Sequence, residues 1–182
     1  MVYQTKITTS ALETQKLGQE LANTVKQGGV LALYGELGSG KTTFTQGLAR
    51  GLEIERRIVS PTFIFIRYYP LASLRVKRSH SVIASEAKQS QPEIAAAACG
   101  GLAMTTKRTD ISREIFYHID LYRIQSLNEA KALGLEEIIE DPSNIVVIEW
   151  PEKIKAILPQ KRIDIYFEYV KDNSRKITML EQ

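Results

Sequence analysis

The chain has 182 residues, of which 43% are hydrophobic and 25% are charged, with a formal net charge of +3. These proportions are typical of one globular domain with its own core, and they exclude a fibrous or wholly disordered protein. The first twelve residues hold no apolar run fit for a signal peptide, and no stretch reaches the roughly 20 apolar residues needed to span a bilayer, so we expect a cytoplasmic protein without a membrane partner. The single cysteine, Cys99, suits a reducing compartment.

The N-terminal part of the chain predicts a helix, a buried strand and a second helix. Ser10 and Glu13 have the spacing of a capping box and open a helix that ends before Gly28. Residues 30–34 form a short apolar run without polar alternation, which is typical of a strand buried on both faces. A glycine-rich loop follows, and residues 41–50 then predict a helix closed by Gly51.

The segment from Leu71 to Arg113 interrupts this pattern. It carries seven basic residues against three acidic ones, a net of +4, so the remainder of the chain has a net charge of −1. About 40 residues without a sustained helix or strand period are unusual inside a domain. We therefore predict a single domain, residues 1–182, with an insertion at about 71–113 that is either disordered or forms a helix around residues 92–99.

The remaining segments predict further strands and one more helix. A second capping box, Ser126 with Glu129, opens a helix through Leu133. The alternation in residues 162–170, followed by turn residues at 171–174, predicts a C-terminal hairpin with residues 176–180. Three other segments are rich in apolar, aromatic or β-branched residues and predict strands: 63–69, 115–119 and 145–148. Together these elements predict an α/β fold with a mixed sheet flanked by helices.

The loop after the first buried strand carries the Walker A pattern, with Gly35, then four free positions, and then Gly40, Lys41 and Thr42. Backbone N–H groups of such a loop and the N-terminus of the following helix bind phosphate oxygens. Lys41 is expected to reach the β- and γ-phosphates, and the Thr42 hydroxyl to bind Mg²⁺. The nucleotide is expected to contact the loop and the first helical turn, at residues Gly38, Ser39, Gly40, Lys41, Thr42 and Thr43.

Two strand ends and one loop add further candidates. Glu149 ends an apolar strand, as the acid of a Walker B strand does, and is expected to hold Mg²⁺ or its bound water, although many buried strands end in Glu. Asp120 shares a strand face with His118 and would orient the attacking water, although a His–Asp pair that caps the sheet is the alternative. Thr62 precedes a strand and either senses the γ-phosphate or belongs to an ordinary Ser-Pro turn.

Four segments, in this order, resemble the bacterial TsaE (YjeE) family, and jointly they are specific: residues 35–44, 60–63, 118–123 and 148–150. The resemblance covers nearly the whole chain apart from the predicted insertion. It implies a P-loop NTPase fold with a mixed sheet. At the matching positions of this chain, the resemblance implies that Lys41 and Thr42 hold phosphate and Mg²⁺ and that Glu149 is a metal ligand. It also implies that Asp120 is needed for hydrolysis and that residues 60–63 form a switch loop.

The resemblance also implies an activity and partners. Members of this family are ATPases that act with the TsaB and TsaD proteins in making N6-threonylcarbamoyladenosine at position 37 of tRNAs that read codons beginning with A. The family's ATPase supports repeated turnover by TsaB and TsaD and does not itself transfer the threonylcarbamoyl group. We therefore expect an ATP- and Mg²⁺-dependent hydrolase, weak alone and stimulated by partners, that reaches tRNA through the complex.

The chain departs from the family pattern in two ways. Glu36 and Ser39 replace the commoner Asp and Ala of the loop, at positions that the motif leaves free. The family joins its switch strand to the next strand by a short turn, whereas this chain has the segment at 71–113. Within it, residues 81–90 look like a translated repeat element, which a hairpin tip would tolerate.

Other functions use the same loop. A small-molecule or nucleoside kinase is the main alternative, but it needs a substrate pocket and arginines in a lid, and the only long insertion that carries arginines is the segment at 71–113. A GTPase switch would need an Asn-Lys-x-Asp motif, which this sequence lacks. A module that binds nucleotide without hydrolysing it is the third alternative.

Overall fold

Seven strands form one sheet in the order β1-β7-β6-β2-β5-β4-β3. The computed structural model describes residues 3–71 and 115–182. The elements, in chain order, are β1 Tyr3–Thr8, α1 Ala11–Val25, β2 Gly29–Tyr34, α2 Lys41–Gly51, β3 Ile66–Pro70, β4 Ile115–Asp120, α3 Leu127–Ala132, α4 Leu135–Glu140, β5 Ile145–Glu149, a 3₁₀ helix Pro151–Ile157, β6 Ile163–Lys171 and β7 Ser174–Glu181.

The sheet is mixed, as predicted. Strand β2 pairs in parallel with β5 and with β6, and β4 pairs in parallel with β5. The outer pairs, β3 with β4, β6 with β7, and β1 with β7, are antiparallel. Every residue of β5 and the four central residues of β2 are buried, because helices cover both faces at the centre of the sheet. The predicted α/β fold and the C-terminal hairpin are thus confirmed.

Helices on the two faces enclose two hydrophobic cores. On one face, α1 and α2 pack on alternate residues of β2, such as Leu31 and Leu33. On the other face, α3, α4 and the 3₁₀ helix cover Val30 of β2 and Val146 of β5. Helices α1 and α2 lie very close together, since a Cβ atom added to Gly47 would come within 1.9 Å of the Gln15 carbonyl oxygen. This contact fixes α2, and with it the loop that precedes α2.

Both predicted capping boxes begin helices. The Ser10 hydroxyl accepts a hydrogen bond from the Glu13 N–H at 3.2 Å, and α1 follows it directly. The Ser126 hydroxyl accepts one from the Glu129 N–H, also at 3.2 Å, at the start of α3. The caps satisfy N–H groups that have no partner within the helix.

Three predictions at the element level were wrong or incomplete. The strand predicted from residue 63 begins at Ile66, because residues 62–64 form a turn and Phe65 has a left-handed backbone with φ of 62°. Strand β1 was not predicted, since residues 4–7 are exposed and lack the apolar alternation of a half-buried strand. The helix through Leu133 is followed by a second one, α4, which Gly134 separates from it with φ of 71°.

The predicted insertion at 71–113, with its possible helix at 92–99, lies outside the described residues apart from Leu71. Among residues 3–71 and 115–182, no helix has the length and the apolar character needed to cross a membrane.

Candidate functional site

The Walker A loop lies at the carboxyl end of the central strand, between the end of β2 at Tyr34 and the start of α2 at Lys41. Two of its glycines are required by the backbone. Gly40 has φ of 106°, and a Cβ on Gly35, whose φ is 141°, would approach the Phe167 carbonyl oxygen to 2.5 Å. The loop can therefore turn sharply above β6 and present its N–H groups to an anion at the start of α2.

Lys41 is nearly fully buried in this loop. Its Nζ donates to the carbonyl oxygens of Gly35 at 2.6 Å and Glu36 at 2.9 Å, and it lies 4.2 Å from the ring centroid of Trp150. Burial lowers the pKa of the ammonium, and the nearby carboxylates, Glu149 first among them, oppose that change. A phosphate would offer this ammonium a charged acceptor in place of two neutral carbonyl groups, which is a stronger hydrogen bond.

Thr42 and Glu149 meet at the junction of β2 and β5. The Thr42 hydroxyl donates to both carboxylate oxygens of Glu149, at 2.9 and 3.2 Å. Glu149 is 3% exposed and lies opposite Leu33 of β2 and Asp120 of β4 in the sheet register. A hydroxyl and a carboxylate oxygen are the hard ligands that Mg²⁺ prefers.

The donor set fits Mg²⁺ held together with a nucleotide. Within residues 3–71 and 115–182, no group of three or more His, Cys, Asp or Glu side chains gathers around one point. Mg²⁺ is commonly bound through one or two protein oxygens, with water and substrate phosphates completing its octahedral shell. Thr42 and Glu149 would therefore supply the protein's share of such a site.

Asp120 lies next to this pair but has different partners. Its Oδ2 accepts hydrogen bonds from the Ser60 hydroxyl at 2.8 Å and from the Thr62 hydroxyl, and its Oδ1 accepts from the Tyr122 N–H at 3.0 Å. The side chain is 3% exposed. The Ser-Pro turn is thus tied to the end of β4 by two hydroxyl groups.

His118 does not pair with Asp120, which corrects the alternative drawn from their spacing. Its Nε2 lies 2.8 Å from Glu149 Oε1, and the ring is completely buried. Two residues apart on one strand, His118 and Asp120 are separated by about 6.6 Å along β4. Glu149, on the adjacent strand β5, is therefore closer to the His118 imidazole than Asp120, which lies on the same strand as His118.

The side chains of Lys41, Thr42, Asp120 and Glu149 line one cavity of about 350 Å³. Every predicted site residue lines it except Ser39, and Ser60, Tyr122 and Trp150 line it as well. Ser39 Oγ is buried and has no hydrogen-bond partner among the described residues. The short sequence motifs on three separate strands thus converge at one edge of the sheet, where parallel strands place their carboxyl ends together.

A larger cavity of about 800 Å³ lies on the β6–β7 side of the loop, and sequence reasoning did not identify it. Tyr34 and Tyr166 stack in its wall, with ring centroids 4.7 Å apart. It shares Leu37 and Gly38 with the smaller cavity. The predicted metal ligands, Thr42 and Glu149, and the predicted catalytic Asp120 line the smaller cavity and not the larger one.

Comparison with known proteins identifies the family. The family model described as "Threonylcarbamoyl adenosine biosynthesis protein TsaE" matches residues 8–81 and 105–177. The chain belongs to the TsaE family. A Bacillus subtilis (strain 168) protein named tRNA threonylcarbamoyladenosine biosynthesis protein TsaE is 31% identical over 166 residues, covering 91% of this chain and 78% of that protein. A Treponema pallidum protein of the same name is 27% identical and covers 95% of this chain and 97% of its own.

A solved structure agrees with the family assignment. The crystal structure of Bacillus subtilis YdiB superposes with a TM-score of 0.63 at 27% identity, over 99% of this chain and 86% of that one. The resemblance inferred from the four motifs and the P-loop NTPase fold are both confirmed. The chain is similar over most of its length both to relatives in sequence and to a solved member in structure.

Proposed function

We propose that this chain is the ATPase component of the machinery that makes N6-threonylcarbamoyladenosine at position 37 of tRNA. Membership of the TsaE family supports the pathway. ATP hydrolysis is inferred from one observation: a small cavity at the end of the central strands is lined by Lys41, Thr42, Glu149 and Asp120. In this proposal the chain works in the cytoplasm with TsaB and TsaD and reaches tRNA through them.

The loop and two side chains would hold MgATP. The N–H groups of residues 38–43 and the start of α2 bind the phosphates, and Lys41 exchanges its loop carbonyls for phosphate oxygens. Thr42 and Glu149 hold Mg²⁺, which supplies positive charge to the phosphates that react. The buried Ser39 hydroxyl is available for a phosphate oxygen as well.

Asp120 would orient the attacking water, but only after the turn at residues 60–62 has moved. In this structure Asp120 Oδ2 already accepts from the Ser60 and Thr62 hydroxyls, and Oδ1 from a backbone N–H. If Thr62 turns to the γ-phosphate, Oδ2 becomes free to accept a hydrogen bond from water. The resting arrangement therefore gives a physical reason for weak hydrolysis by the chain alone.

We further propose that residues 1–182 form one P-loop domain with an insertion at about 71–113. The family model matches up to residue 81 and resumes at 105, which supports an added segment between them. Strands β3 and β4 also support it, because Pro70 lies opposite Ile115 in an antiparallel pair, as the ends of a hairpin do.

ATP hydrolysis with and without TsaB and TsaD tests the proposal. We expect slow release of phosphate by the chain alone, stimulation by the partners, and loss of both in the Lys41→Ala variant. Lys16→Ala, at an exposed position on α1, serves as the matched control. Trp150 is the single tryptophan, and Lys41 lies over its ring, so its fluorescence should change when ATP binds.

Three outcomes would contradict this function. Hydrolysis that neither the partners nor Lys41→Ala changes would exclude the proposed ATPase. Transfer of the γ-phosphate to a small acceptor instead of water would indicate a kinase. Undiminished formation of the modified nucleoside over many turnovers by the Asp120→Ala and Glu149→Ala variants would indicate a module that only binds nucleotide.

A further inference from the structure

His118 has no part in the function proposed above, although it touches the proposed metal site. The residue is completely buried on β4, opposite Val147 of β5. Its Nε2 lies 2.8 Å from Glu149 Oε1, the oxygen that also accepts from the Thr42 hydroxyl at 2.9 Å. A buried polar side chain aimed at a candidate metal ligand requires an explanation.

Hydrogen bonding decides which imidazole nitrogen carries the proton. An ionised carboxylate is an acceptor only, so the Nε2 atom that faces Glu149 must be the donor. The other nitrogen, Nδ1, is buried and has no hydrogen-bond partner among the described residues. Nδ1 is therefore expected to carry no proton, because a buried N–H group without an acceptor would cost the full free energy of its desolvation. His118 is therefore an Nε2–H donor to the Glu149 carboxylate.

Binding of Mg²⁺ would change the partners of Glu149. Thr42 now donates its hydroxyl proton to the carboxylate. As a metal ligand, Thr42 would present an oxygen lone pair to Mg²⁺, which draws its hydroxyl oxygen towards the metal. Of the two side-chain partners that the described residues offer to Glu149, His118 is the one that would not itself bind the metal.

We infer that His118 is a positioning residue that orients the Glu149 carboxylate for Mg²⁺. The inference rests on the proposed MgATP site and assigns to β4 two separate tasks, with His118 serving the metal ligand and Asp120 serving the turn at residues 60–62. Residues that hydrogen-bond metal ligands from outside typically change metal affinity by about 10- to 100-fold when removed.

Two substitutions separate this role from a contribution to packing. His118→Gln keeps an N–H donor at nearly the reach of Nε2, whereas His118→Leu keeps an apolar side chain without a donor. Mn²⁺ is the metal probe, titrated by electron paramagnetic resonance against each protein saturated with a non-hydrolysable ATP analogue. We expect His118→Leu to weaken Mn²⁺ binding about 10- to 100-fold and His118→Gln to stay close to the parent. Affinity for the analogue in EDTA should stay unchanged in both.

A second measurement needs no variant and no ligand. Nitrogen-15 NMR of the parent protein with labelled histidine should place the His118 proton on Nε2. A proton on Nδ1 with none on Nε2 would overturn the inference even if His118→Leu failed to fold. So would equal Mn²⁺ affinity in His118→Leu and the parent, or an equal loss in His118→Gln and His118→Leu. If the parent bound the analogue but no Mn²⁺, or bound neither, the proposed MgATP site would fail and the inference with it.

Discussion

The two sides of the proposed nucleotide cavity are built differently. On the metal side, Thr42 and Glu149 sit on α2 and β5, and Glu149 is held by hydrogen bonds from Thr42 and His118 among buried parallel strands. On the switch side, the turn at residues 60–65 precedes an edge strand, and its Phe63 is 78% exposed. Two hydroxyl groups hold that turn to Asp120.

This difference separates the part of the site that must be rigid from the part that can move. Buried strands and close helix packing set the position of a metal ligand in advance, which avoids reorganisation when the nucleotide arrives. A turn held by hydroxyl groups on a carboxylate can exchange such a hydrogen bond for one to a phosphate oxygen at little cost, because both acceptors are charged. Substitutions on the two sides should therefore have different signatures.

The largest effect is expected at Asp120, where the two sides meet. Asp120→Asn removes the carboxylate that would orient water, so partner-stimulated hydrolysis should fall by roughly 10²- to 10⁴-fold. Binding of ATP, followed by Trp150 fluorescence, should not change, because Asp120 contacts the turn and not the loop. Asp172→Asn, in the exposed β6–β7 turn, is the matched control. Undiminished hydrolysis in Asp120→Asn would contradict the assignment.

The rigid side should be sensitive to the packing of α1 on α2. In Gly47→Ala the new methyl group would meet the Gln15 carbonyl oxygen at 1.9 Å, so the helices must separate. We expect a loss of about 1–3 kcal/mol in the free energy of unfolding, measured with urea. Glu20→Ala on the exposed face of α1 should have little effect on that free energy. Equal stability of Gly47→Ala and the parent would show that the two helices tolerate separation.

The two hydroxyl groups of the switch side should act in opposite directions. Thr62→Val removes the group proposed to contact the γ-phosphate. Ser60→Ala removes a hydroxyl that restrains the resting turn, through Asp120 at 2.8 Å and the Thr62 hydroxyl at 2.6 Å. Basal phosphate release should therefore fall in Thr62→Val and rise in Ser60→Ala, each by roughly 10- to 100-fold, the worth of one hydrogen bond to a charged group. Changes of the same sign in both variants would reject the idea that the turn restrains Asp120.

The smallest effect is expected at Phe63. Its ring is largely exposed and packs under the Arg123 guanidinium at 4.3 Å. Phe63→Ser should change the free energy of unfolding by less than about 0.5 kcal/mol, as exposed substitutions usually do, and leave basal hydrolysis unaltered. A loss comparable to that of Gly47→Ala would mean that the switch side is as tightly packed as the metal side.

Local patterns in the sequence were sufficient for the helices that begin at Ser10 and Ser126, the central strands and the Walker A loop. Each of these depends on contacts within a few residues, such as a cap, an apolar run or a glycine with a positive φ. Strand β1 escaped prediction because its pairing with β7 involves residues far apart in the chain. The exposed residues of β1 carry no periodic signal of their own.

By itself the sequence determined which groups could meet a nucleotide, because Lys41, Thr42 and the acids at strand ends belong to short motifs with local chemistry. Only the tertiary structure decided their partners. The strand order β2-β5-β4 places His118 beside Glu149 and brings Ser60 and Thr62 to Asp120. Neighbours across a sheet are set by register between distant segments, and spacing along one strand does not contain that information.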